Sequence, residues 1–91
     1  MQRALVHVGF GNYVEADRIK AAEAPHSAPV QRIVRRAKQE GMVIDITCGR
    51  RTKAVVFTDT GDILLLGITP QILGGRVAAA RVGDLSRRHA D

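Results

Sequence analysis

The chain has 91 residues, which sets the expectation of a single domain with a modest core. Its composition is 45% hydrophobic and 25% charged, which excludes a disordered chain. Fourteen Lys and Arg against nine Asp and Glu give a formal net charge of +5, and that excess points to an anionic partner.

In chain order, "ALVHV" at 4–8 reads as a strand and "GFGN" at 9–12 as a turn. "YVEADRIKAAEA" at 13–24 allows either a helix or bent strands. In the extended reading, Arg18 and Lys20 share a face because side chains alternate. Ser27 caps a helix over 28–40, with Pro29 in its first turn and Gly41 just past its end. Val30, Ile33, Val34 and Ala37 form its apolar stripe, and Arg32, Arg35, Arg36 and Lys38 lie on the rest of its surface.

"MVIDITC" at 42–48, "KAVVFTD" at 53–59 and "ILLLGI" at 63–68 read as a three-stranded antiparallel meander. Gly49 turns the first hairpin, and Arg50, Arg51 and Lys53 project from its tip. "ILLLGI" is apolar on both faces, so it is central or covered by a second copy. A second helix is expected over 69–81, with Thr69 as cap and Pro70 in its first position. Gly74 and Gly75 weaken it by ~1 kcal/mol each relative to alanine. Residues 82–91 read as a polar, disordered tail after a single domain at 1–81. The expected fold is α+β: a small, mostly antiparallel sheet with one central helix and a C-terminal helix.

Most chemistry lacks its residues. "GFGN" begins like a dinucleotide fingerprint, but Val14 stands where the third glycine belongs. His7, His26 and His89 are scattered beside a single Cys48, so no metal-ligand spacing exists and no cofactor is implied. The acids are isolated, and no catalytic constellation forms, so no enzyme is expected. One cysteine permits no intrachain disulfide, and the polar N-terminus is unlike a secretory leader. Both point to the cytoplasm. No run is long enough to span a bilayer, so no membrane partner is expected.

What remains is basic surface. Two arginines on a narrow tip suit phosphate oxygens and guanine edges. The chain has only Phe10, Tyr13 and Phe57 for stacking, and that scarcity favours double-stranded DNA over single strands or RNA. Arg50, Arg51 and Lys53 with Arg18 are the candidate contacts, and Lys20, Arg32 and Arg35 are secondary ones. The competing readings are a basic interaction or scaffolding module, and an enzyme acting on a nucleotide with Asp45 or Asp59 as base.

Four blocks in fixed order carry a family resemblance: "VGFGNYV" at 8–14, "ADRI" at 16–19, "SAPVQRIVRRAKQEGMVIDIT" at 27–47 and "GRRTKAVV" at 49–56. The chain resembles the RemA family of bacterial extracellular-matrix regulators. That resemblance implies a DNA-binding transcriptional activator of biofilm-matrix and osmoprotection genes, associated with the nucleoid. It also implies a ring-shaped, octamer-like homo-oligomer, with Arg18, Arg50 and Arg51 matching the family's DNA contacts and Pro29 matching the proline of its SAP block. Cys48 departs from the aromatic residue of its relatives. "ILLLGI" and "VAAA" at 77–80 are the candidate subunit interfaces.

Overall fold

The computed structural model describes the backbone of residues 4–90 and the side chains of residues 4–83. Strands β1 (Leu5–Gly9) and β2 (Asn12–Glu15) pair antiparallel, with His7 opposite Tyr13. Alternation sends Val6 and Val8 inward, each 1% exposed, and leaves Leu5 and Tyr13 outside. The ambiguous stretch at 13–24 is extended on both sides of a single 3-10 turn, Ala16–Arg18, which leads into β3 (Ile19–Glu23). Ala16 is buried, and its N–H donates to the Ala4 carbonyl at 2.8 Å, which extends the hairpin.

Helix α1 (Ala28–Gln39) follows its local signals. The Ser27 hydroxyl accepts from Val30 N–H at 3.3 Å, and Pro29 occupies the first turn, where no N–H is needed. Gly41 ends the helix at φ +72°. Val30, Val34 and Ala37 turn inward, whereas Ile33 remains 47% exposed on the outer side.

The expected meander is not formed. β4 (Val43–Asp45), β5 (Ala54–Thr58) and β6 (Ile63–Leu66) join β3 in one sheet of order β3-β5-β6-β4. β3/β5 and β5/β6 are antiparallel, but β4 runs parallel to β6. The reason lies in β6, whose four residues are all buried. A strand apolar on both faces takes a central position and needs a partner on each edge. The three-residue β4, with Ile44 exposed, serves as that outer edge. The segment at 46–53 is therefore not a hairpin tip. It arches over the end of β6, held by Ile46 N–H to Leu65 O at 2.9 Å and Lys53 N–H to Leu66 O at 2.8 Å.

Three layers result. Val55, Ile63 and Leu65 on one sheet face meet Val30 and Ala37 of α1. Ala54, Val56, Leu64 and Leu66 on the other face meet Val6, Val8 and Leu73. Leu73 belongs to α2 (Pro70–Ala90), which runs past the residue 81 at which the sequence reading ends it. Its helix continues through residues 82–90, where a polar tail is expected. Packing of Leu73, Val77 and Ala80 holds α2 despite Gly74 and Gly75. Arg76 ties it to the hairpin, donating to the His7 carbonyl at 3.0 Å. β6 is consumed by its own chain and offers no surface to a second copy, which corrects the interface reading of "ILLLGI".

Candidate nucleic-acid interface

The arch at 46–53 starts from a polar latch. One Asp45 carboxylate oxygen accepts from Thr47 N–H at 2.9 Å and from the Thr47 hydroxyl at 2.6 Å. These bonds hold the Asp45 carboxyl below the ordinary carboxylate range, the hydroxyl acting most, then the backbone N–H, with Lys38 adding charge. Thr47 is 2% exposed, so the latch satisfies groups that water cannot reach. Arg50 N–H then donates to Thr47 O at 3.0 Å and closes a tight turn. Cys48 and Gly49 sit in that turn at φ +52° and +81°. A Cβ at Gly49 would meet nothing within 4 Å, so glycine answers the dihedral and not a lack of space. The free Cys48 thiol is exposed.

The turn presents Arg50, Arg51 and Lys53 to solvent. Among the described residues, the side chains of Arg51 and Lys53 have no ion pair or hydrogen bond. Both line an open cleft with His26, Thr69 and Pro70, so this charge lies beside the start of α2. The Arg50 guanidinium carbon lies 5.6 Å from the Phe10 ring centroid, within cation–π range. Sequence reading treats "GFGN" as a turn only and misses this contact. The available signal was a large aromatic placed between two glycines, where a turn needs none.

The remaining candidates are distributed. Arg35 lines a second cleft, between α1 and the sheet, which Thr52 also borders. It therefore flanks the loop. Arg32 lies on the outer side of α1 with Pro29, Ile33 and Arg36. Lys20 is exposed on β3, an outer strand of the sheet. Arg18 stands at the far end of β5. Its carbonyl accepts from Asp59 N–H at 3.0 Å, and Asp59 follows the last residue of that strand. A five-residue strand is about 17 Å long, so one chain does not bring Arg18 to the arginine loop. Its side chain, 49% exposed, lies 3.6 Å from Glu15 and 3.8 Å from Asp59.

The two acids considered as bases have other work. Asp45 is committed to Thr47, and Asp59 lies beside Arg18, away from the loop. His7 accepts from Gly11 N–H at 3.2 Å and packs on Tyr13 at 5.2 Å between ring centroids. Among the described residues no three His, Cys, Asp or Glu gather as a metal site, and no helix is long and apolar enough to cross a membrane.

The architecture defines a small basic α+β protein that exposes Arg50, Arg51 and Lys53, without an ion pair among the described residues, at one end of a mixed sheet. The chain belongs to the RemA-like family: the model of extracellular matrix regulatory protein A-like proteins matches residues 5–77. It is 48% identical over 86 residues to a "Putative regulatory protein" of Synechococcus elongatus, covering 94% of this chain and 98% of that one. A protein of the same description from Dehalococcoides mccartyi is 46% identical over 87 residues, covering 96% and 91%. One from Pelotomaculum thermopropionicum is 40% identical over the full length of both chains. Membership places the chain among regulatory proteins.

Proposed function

We propose that this chain is an oligomeric, double-stranded DNA-binding transcription regulator that activates extracellular-matrix genes. The carrying observation is the arch at 46–53, where Arg50, Arg51 and Lys53 lie exposed with no carboxylate among the described residues to neutralise them. Unpaired guanidiniums keep both their charge and their donor fork for phosphate oxygens. The family description supports the regulatory role, and its words "extracellular matrix regulatory" are the ground for the matrix-gene reading.

One copy offers few phosphate contacts, and a single set binds weakly. A closed ring repeats them at fixed spacing, so each later contact is nearly intramolecular. The separation of Arg18 from the loop supports the same reading. A duplex reaches both clusters by running along the sheet or by bridging two copies. The protein acts at the nucleoid in this reading, and spaced contacts on a curved surface favour bendable DNA.

Mobility-shift titration of a promoter duplex against excess random duplex tests the reading, with native mass measured in parallel. The expected result is a ring-sized oligomer that retains promoter binding under competition. The double variant R50A/R51A is expected to keep that mass and lose the shift. Complete loss of wild-type binding to random competitor would instead favour the interaction-module reading. Phe10 and Tyr13 are exposed, at 50% and 62%, so a single strand of the same sequence belongs in the titration. Equal or tighter binding of that strand would contradict duplex recognition.

A further inference from the structure

The β1–β2 turn carries an expense that turning the chain does not explain. Gly9, Phe10 and Gly11 all adopt positive φ, at +121°, +51° and +76°. The two glycines take such dihedrals freely, but phenylalanine in the left-handed region is strained. The turn is nevertheless built firmly. The Asn12 side-chain amide donates to the Gly9 carbonyl at 3.0 Å and the Phe10 carbonyl at 3.4 Å, and His7 accepts from Gly11 N–H. Phe10 makes only a partial return to the fold in burial, because half its surface stays in solvent and it belongs to neither core cluster. Its ring contact is with Arg50, at 5.6 Å. Arg50 reaches that place from another strained turn, through Cys48 and Gly49. Two left-handed turns from different layers thus meet at one ring and one guanidinium.

We propose that Phe10 is a positioning residue for duplex contact: its ring holds the Arg50 guanidinium in place. A ring face attracts the cation without using its N–H donors and without cancelling its charge. A carboxylate in the same place would do both. The contact surface then comprises the β1–β2 turn as well as the arch, and its ligand is the phosphate backbone of a duplex. This inference rests on the DNA-binding reading above.

The test uses the full chain, a promoter duplex and thermal melting. F10G removes the ring and suits the dihedral, and the relieved strain offsets the lost half-burial and the glycine's added unfolded-state freedom, so its melting midpoint is expected to stay near the wild-type value. Duplex affinity is expected to fall about two- to five-fold per contacting copy, the range of one exposed cation–π pair. F10W, which keeps a π face, restores affinity. In an R50A background F10G has no further effect, because the ring acts through that arginine. R51A, which leaves the Phe10 contact intact, reports on the DNA reading by itself. Lost affinity in R51A with full affinity in F10G would overturn the positioning role and leave DNA binding standing. An undiminished F10G effect in R50A would likewise overturn it. Absence of duplex binding by the wild-type chain would overturn the underlying reading.

Discussion

Arg18 and Arg50 stand near opposite ends of β5, and the chain holds them by opposite chemistry. Arg18 lies between two carboxylates, Glu15 at 3.6 Å and Asp59 at 3.8 Å. Arg50 lies against an aromatic ring, and its neighbours Arg51 and Lys53 have no partner among the described residues. Carboxylates occupy donors and cancel charge, whereas a ring face does neither. One end of the sheet is therefore near electrostatic balance, and the other holds its charge in reserve. The difference teaches that counting arginines does not locate a binding surface. What surrounds each arginine decides how much charge it can give to a ligand.

The largest expected effect comes from removing the reserved charge. R50A/R51A is expected to weaken duplex binding by at least about 100-fold at moderate salt, since several phosphate contacts disappear at once in an oligomer. Circular dichroism and native mass should stay unchanged, because neither side chain supports the core. The arch can also be loosened with its arginines intact. D45A leaves Thr47 N–H and its hydroxyl without their acceptor in a buried place, which costs about 1–3 kcal/mol of stability. Duplex affinity falls with it as the turn loses its start. Chemical denaturation and titration of the same sample check both effects. D45N, which keeps an acceptor, recovers most of the stability.

The Arg18 end should respond less. R18A removes an exposed residue whose ion pairs are worth ~0–1 kcal/mol, so the melting midpoint barely moves. The sharper variant is D59N, which releases one neutralising charge. It is expected to raise duplex affinity a few-fold and to have no effect once Arg18 is alanine. A D59N effect that persists in R18A would show that Asp59 repels DNA directly. The smallest effect is one of pH. Asp45 titrates lower in the folded chain than in the unfolded one, so its contribution is complete above the ordinary carboxylate range. It is lost as pH falls through the lowered value. Below about pH 4 the wild-type midpoint should therefore drop more steeply than that of D45N.

The parts of this molecule legible in the sequence are those fixed by near neighbours. Ser27, the apolar stripe and Gly41 lie within or directly beside one helix, and α1 begins and ends where they indicate. The doubly apolar β6 could be read as central from its own residues. Its partner could not, because parallel pairing of β4 with β6 depends on residues about twenty positions apart. Reading the short "GRRT" as a hairpin assumed that sequential strands are spatial neighbours. The buried strand between them breaks that assumption. The arginines were visible as charge, but their surroundings were not. Glu15 and Asp59 reach Arg18 from two elements, and Phe10 reaches Arg50 across forty positions of chain. "GFGN" looked like an ordinary turn because its aromatic has no local partner.

The salt dependence of duplex affinity tests the central claim most directly, because its slope counts the phosphates neutralised. If four copies each place two loop arginines on phosphates, the wild-type log–log slope is about −7. R50A/R51A should flatten that slope by most of its value, and R18A, whose charge Glu15 and Asp59 already offset in part, should change it less. A slope that survives R50A/R51A and collapses in R18A would contradict the account.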